Sequence, residues 1–297
     1  MFVLLGSNGQ ITSQLARLLL ASGRPVRVVG RNANALAPLA AAGAQVAVGD
    51  AGDAAFLEHA FIGASAAYTM IPPCYGEEPI RAAQDRIGQA IATALGRVPV
   101  PRVVNLSSIG AELPQGTGPI ESLHAQEQRL KAISGIDFLH LRPGSFMDNL
   151  LQVAPVVAAA GVLPGMEAAD ASIPMVATRD VAAVAARELL TPRHSGALLL
   201  HAPRHVSLAE AAAALGAAIG KPGLPYVQTS FDEGKAALRE HGFSASAAEQ
   251  MEQLARWLST SPLASTRAAP VEVQPTTIED FAREVFAPVH ARLAGGG

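Results

Sequence analysis

Short apolar runs alternate along the first half of this chain with longer stretches in which apolar residues recur every three to four positions. The runs predict strands at Phe2–Leu5, Pro25–Val29, Gln45–Val48, Ala66–Ile71, Arg102–Leu106 and Asp137–Leu141, and the periodic stretches predict helices near 10–22, 33–41, 53–60, 78–95 and 121–133. Such alternation builds a parallel sheet covered on both faces, a doubly wound α/β architecture whose ligand crevice opens at the carboxyl ends of the strands. Beyond about residue 152 the pattern loosens. A stretch rich in Ala, Gly and Pro runs to Gly165, and one strand, helix and strand unit at about 172–200 is expected to return to the sheet. The remainder from about 201 reads as mainly helical, with Thr276 and Glu279 spaced as a capping box before Phe281. The glycine tail and the stretch from about 259 to 275 read as loose.

The first strand breaks into Gly6-Ser7-Asn8-Gly9, and the residues from Gln10 and Ile11 onward open a helix. A glycine turn between a buried strand and a helix N-terminus lets backbone N–H groups approach phosphate oxygens where the helix dipole favours negative charge. The turn therefore reads as a dinucleotide entrance, although its spacing is G-x-x-G-x-x-T, with Thr12 where a third glycine usually permits close helix packing. At the end of the second strand, where an acid would bond the ribose hydroxyl of NAD, the chain has Arg31, twenty-two positions beyond Gly9. A guanidinium there matches a 2′-phosphate, which favours NADP(H) over NAD(H); the alternative is a solvated surface arginine. Asn32 and Ser7 are candidate additional donors.

Composition narrows the class. With 49% hydrophobic and 16% charged residues over 297 positions the chain can bury a large core, and a net charge of −3 gives no general attraction to nucleic acid or anionic membrane. Cys74 is the one cysteine, so no internal disulfide or thiolate cage can form, and the eight histidines show no metal-ligand spacing. The first residues already read as strand, with no basic leader, and no apolar run is long enough to span a bilayer, so a cytoplasmic protein is expected. Oligomeric state stays open, a homodimer included.

Several stretches together resemble the NmrA-like group of atypical short-chain dehydrogenases/reductases, over nearly the whole chain. They are Gly6–Gly9 with Arg31, Val48-Gly-Asp50-Ala51-Gly-Asp53, Tyr68-Thr-Met-Ile-Pro-Pro73, Val103-Val-Asn-Leu-Ser-Ser108, Leu141-Arg-Pro-Gly-Ser-Phe-Met-Asp-Asn149, Ile173–Asp180 and Pro275–Phe281. The resemblance implies a Rossmann-like NAD(P)-binding domain at 1–152, joined by 172–200, and a smaller substrate lobe built from 153–171 and 201–297. It also implies that Asp50, with Ala51, lies beside the adenine, that Met70, Ile71 and Pro72 cross the ribose and pyrophosphate, and that Arg142 to Phe146, including Pro143, pass the nicotinamide.

The departures bear on mechanism. The wider superfamily uses a Tyr-x-x-x-Lys pair as its acid, and none of the three tyrosines here is followed by lysine at that spacing; the two positions fall on Ile120 and His124. Without that acid, ketone reduction loses ground to acceptors that need less help: quinones, activated double bonds and iminium-like dyes. His124 is a candidate proton donor or ribose contact, against a plain polar residue on a helix face. Ser108 matches the superfamily's substrate-binding serine, and Ser107 is expected on cofactor or backbone. Tyr75, Phe146 and Met147 are candidates to shape an apolar substrate pocket, or equally core residues. Asn149 is expected to bond a loop, and Lys131 is not expected to act in catalysis. Two functions remain open: an NADPH-dependent oxidoreductase acting on a small apolar acceptor, and a non-catalytic dinucleotide sensor. A sugar-nucleotide epimerase or dehydratase is weakened by the missing tyrosine.

Overall fold

The computed structural model describes residues 1–6, 9–260 and 269–295. Its strands are β1 (Phe2–Leu5), β2 (Val26–Gly30), β3 (Gln45–Val48), β4 (Ala66–Thr69), β5 (Arg102–Leu106), β6 (Asp137–Pro143), β7 (Ser145–Phe146), β8 (Leu163–Gly165), β9 (Met175–Val176), β10 (Gly196–His201), β11 (Tyr226–Gln228) and β12 (Val271–Val273). The helices are α1 (Gln10–Ala21), α2 (Ala33–Ala41), α3 (Ala54–Phe61), α4 (Ile80–Arg97), α5 (Ile120–Lys131), α6 (Ala154–Ala160), α7 (Thr178–Leu190), α8 (Leu208–Ala218), α9 (Phe231–Glu240), α10 (Ala245–Thr260), α11 (Ile278–Phe281) and α12 (Ala287–Ala294), with a 3-10 segment at Met147–Val153.

Eight strands form one parallel sheet in the order β12-β10-β6-β5-β4-β1-β2-β3. Side chains on a strand alternate between faces, and β1 shows the consequence. Phe2 and Leu4 join the core under α1 and α7, where Leu15, Leu19, Val181 and Leu198 also lie, while Val3 and Leu5 join Leu57, Ile87, Ile91 and Leu130 under α3, α4 and α5. A third apolar core, with Met147, Leu163, Leu215, Trp257, Phe281 and Phe286, holds the later helices together. The chain runs outward from β1 through β2 to β3 and then crosses back to β4 on the other side of β1. The crevice of such a sheet opens between the two strands where that reversal occurs, beyond the ends of β1 and β4.

Three readings of the sequence need correction. The 172–200 unit returns only in part: β10 enters the main sheet, but β9 pairs with β7 in a separate two-stranded ribbon. The 259–275 stretch contains β12, which closes one edge of the main sheet beside β10, so a strand from the later residues belongs to the sheet; residues 261–268 lie outside the described residues. The capping box sits one residue on, at Thr277 and Asp280. Thr276 is engaged elsewhere: its N–H donates to Asp180 at 3.1 Å and its hydroxyl accepts from Arg179 Nε at 3.1 Å. No helix among the described residues is long and apolar enough to cross a membrane.

Candidate active site

The two described ends of the turn after β1, Gly6 and the start of α1, suit a bound anion. Gly6 has φ +106°, and a Cβ on it would sit 2.8 Å from Thr12 Oγ1 and 3.3 Å from Met70 Sδ, so only glycine fits. Thr12 does more than replace a glycine: its buried hydroxyl donates to the Leu5 carbonyl at 3.2 Å and ties α1 to the end of β1. Gly9 caps α1 without any side-chain hydrogen bond, and the first turn carries no acid. The leading N–H groups of the helix, those of Gln10 and Ile11 included, are therefore available to phosphate oxygens. The Ile11 side chain is buried in the core, and the Gln10 side-chain amide lies against Thr178 Oγ1 at 3.1 Å, so each can serve such a ligand through its backbone. Ser7 and Asn8 lie outside the described residues.

At the ends of β2 and β3, Arg31 is exposed and makes no hydrogen bond or ion pair among the described residues. Asn32 has its Oδ1 committed to capping α2, where it accepts from the N–H groups of Asn34 and Ala35, which leaves only its amide nitrogen as a donor. Asp50 accepts from Gly52 N–H at 2.9 Å and from Arg86 at 2.8 Å. These bonds, opposed by partial burial, hold its carboxyl below the usual range. Ala51 is half-buried against the core on that face of the sheet. A free guanidinium, a glycine turn of positive φ and an uncapped helix end together fit a dinucleotide phosphate.

Beside this cradle a cavity of about 310 Å³ opens at the carboxyl ends of β4, β5 and β6. Met70, which packs against Gly6, is also one of its walls, so cradle and cavity are contiguous. Ile71, Leu106, Ser107, Ser108, Pro143 and Phe146 line it from the sheet side; Tyr75 comes from the loop after β4, and Leu254, Trp257 and Leu258 come from α10. Ser108 Oγ has no hydrogen-bond partner among the described residues and is free to meet a ligand. Ser107 is committed: its hydroxyl donates to Glu127 Oε1 at 2.5 Å. Glu127 is in turn gripped by Arg142 through Nε at 3.0 Å and Nη2 at 2.6 Å, while Arg142 also reaches Glu112 at 3.2 Å. A carboxylate that accepts a hydroxyl proton fixes that hydroxyl as an acceptor toward the cavity. Tyr75 stacks on Phe243 with ring centroids 4.4 Å apart, and burial pushes its phenol up.

The remaining candidates divide between the cavity wall and other parts of the fold. Ile120, at the superfamily's tyrosine position, does line the cavity, so an apolar side chain stands there. His124 does not line it; its Nδ1 donates to the Ala111 carbonyl at 2.8 Å and latches α5 to the preceding loop. Met147 is fully buried core, and Pro72 is half-buried outside the cavity wall, where Pro73 is found instead. Asn149 lines the cavity and its side chain bonds no loop among the described residues; the neighbouring Asp148 does that work, accepting from Thr178 N–H and Oγ1, each at 2.8 Å. Lys131 is exposed at the end of α5. Sequence reasoning missed the α10 wall, Phe243, Arg86 and the Glu127–Arg142 pair. The apolar spacing of Leu254, Trp257 and Leu258 and the arginine inside a buried strand were the available signals.

Fold and geometry fit a Rossmann-type nucleotide-binding protein in which a candidate phosphate cradle lies next to an apolar cavity. Comparison with known proteins agrees. Residues 6–192 match the NAD(P)H-binding family, and the chain belongs to that family. It is 30% identical to an NAD(P)H azoreductase of Xenophilus azovorans over 99% of both chains. It is 29% identical to a (4-alkanoyl-5-oxo-2,5-dihydrofuran-3-yl)methyl phosphate reductase of Streptomyces griseus over 80% of each. Its fold is that of an Escherichia coli NADPH-dependent quinone oxidoreductase solved with NADPH, with a TM-score of 0.75 at 24% identity, covering 96% of this chain and 100% of that one.

Proposed function

We propose that the protein passes hydride from NADPH to a small, apolar, electron-poor acceptor bound in the cavity: a quinone, an activated double bond, or an azo or iminium-like compound. One observation carries this reading. Among the described residues that line the cavity the sole ionisable side chain is Tyr75, whose burial makes it a poor acid, so these residues offer no strong proton donor to a developing alkoxide. Acceptors that form a stabilised anion need none. The names of the two relatives, reductases of an azo compound and of a conjugated furanone, support the same class.

In this account the uncapped start of α1 and Gly6 hold the pyrophosphate, Arg31 takes the 2′-phosphate, and Asp50 meets the adenine. Bound NADPH supplies the hydride. Ser107, fixed as an acceptor by Glu127, positions a donor group of either ligand, and Ser108 offers its free hydroxyl to an acceptor oxygen or nitrogen. Met70, Leu106, Phe146 and Trp257 press a flat acceptor toward the cofactor side and exclude water. His124 acts as a positioning residue through its bond to Ala111. A cytoplasmic location, where NADPH is supplied, goes with this reading. The test is NADPH and NADH oxidation by the purified protein across quinones, enones, azo compounds and simple ketones. The account expects NADPH-dependent turnover of the first three and little of ketones; efficient ketone reduction would overturn it.

A further inference from the structure

The notch beyond β2 and β3 holds a charge arrangement that the cofactor contacts alone do not explain. Strand register pairs Gly30 with Val48, and Gly49 N–H donates to the Gly30 carbonyl at 3.1 Å, so Arg31 and Asp50 leave adjacent strand ends side by side. The charge of Arg31 reaches Asp50 through space. Neighbouring exposed groups of opposite charge ordinarily pair, yet Arg31 pairs with nothing among the described residues. Asp50 is already taken. One oxygen accepts Gly52 N–H at 2.9 Å, and the other accepts Arg86 Nη1 at 2.8 Å, reaching across from α4. Gly52 makes room for that arginine, since a Cβ there would overlap the Arg86 guanidinium. Glu77 adds a further negative charge within range of Arg86.

We propose that Arg86 is a specificity-determining residue for the phosphorylated dinucleotide: by holding Asp50 it keeps Arg31 open to a 2′-phosphate and offsets the negative charge the acid would otherwise present there. The proposal rests on the assignment of Arg31 to that phosphate. Without Arg86, Asp50 and Arg31 are free to pair, and the pair cancels the positive charge the phosphate needs. The arrangement reconciles two demands on one corner of the site. An acid is kept for the adenine edge, and its charge is masked from an anion nearby.

The test is fluorescence titration with NADPH and with NADH, read as the ratio of the two dissociation constants, for the wild type, Arg86→Ala, Arg31→Ala and the double variant Asp50→Asn/Arg86→Ala. Arg86 is half exposed, so its removal leaves the fold intact. The preference for NADPH is expected to fall about fivefold in Arg86→Ala, the scale of one exposed charge pair, and to return in the double variant. An unchanged ratio in Arg86→Ala overturns the proposal, as does a double variant that stays low, which would mean that Arg86 itself touches the phosphate. Arg31→Ala with its preference intact would instead strike the phosphate assignment beneath it, and a wild type that binds neither nucleotide would strike the cofactor reading as a whole.

Discussion

In the proposed site much rests on a single missing Cβ, that of Gly6. Its φ of +106° and its packing against Thr12 and Met70 join the cofactor cradle to the cavity wall. Gly6→Ala is expected to cost about 1–3 kcal/mol of stability through backbone strain and to weaken NADPH binding at least tenfold. A thermal melt and a cofactor titration check both, and a variant that melts and binds like the parent contradicts the cradle. Ser108 offers a free hydroxyl to the cavity, and Ser108→Ala should lower kcat about tenfold for oxygen-bearing acceptors, the scale of one lost hydrogen bond to developing charge. Unchanged kcat would reduce Ser108 to a strand-end residue. Much of this scale was legible in the sequence: glycine in a tight turn, arginine at a strand end and serine after the fifth strand each have a strong local reason to be where they are. His124 and Met147 were not legible, because whether a side chain on a helix or loop faces the cavity or the core depends on packing that no local pattern encodes.

Among the elements, the strands of the sheet centre could be read directly because parallel strands buried on both faces leave continuous apolar runs. Edge and side strands lack that signature. β12 is three residues long with exposed valines, and β9 is two residues long, so neither stands out from loop. The shift of the capping box has a similar origin, since Thr276 and Thr277 both precede an acid by three residues and only the helix start decides between them. The α10 wall was out of reach because residues near 257 meet residues near 108 only through tertiary packing. That wall is joined to the sheet domain by a clasp in which Tyr75 stacks on Phe243, Ser244 N–H donates to the Tyr75 carbonyl at 2.8 Å, and Ser246 Oγ accepts from Ile80 N–H at 3.0 Å at the start of α4. Phe243→Ala removes a stacked pair of about 1 kcal/mol and should raise KM for aromatic acceptors several-fold while NADPH affinity holds. Steady-state kinetics across aromatic and aliphatic acceptors check this, and equal KM values in both proteins would remove the clasp from substrate binding.

For the molecule as a whole, stability is tied to pH through buried carboxylates. Glu188, with a fully buried side chain, accepts from the N–H groups of Arg193 and His194 and lies against Arg102 and Arg187. Burial pushes its carboxyl up, but these donors outweigh it and hold the group below the ordinary range. A depressed folded-state pKa contributes stability above the unfolded value near 4.3, and that contribution is lost as pH falls through the folded value. The melting temperature should therefore fall below about pH 4, and Glu188→Gln should cost about 1–3 kcal/mol at neutral pH by weakening the bonds from the Arg193 and His194 N–H groups and from Arg102, which keeps Asp137 as Arg187 keeps Glu272, while flattening that acid dependence. Melts of both proteins across acidic pH decide it, and an equally steep acid loss in the variant would contradict the assignment.

The central claim is that cradle and cavity form one hydride-transfer site. A single turnover tests it most directly: the protein is loaded with NADPH deuterated at the reactive nicotinamide carbon, mixed with an enone, and the product examined by mass spectrometry and NMR. The account predicts one deuterium on the β-carbon of the reduced enone together with loss of nicotinamide absorbance. Tight NADPH binding with no label on the enone and no NADPH oxidation by quinones or azo compounds would contradict it and leave a protein that senses the dinucleotide without using it.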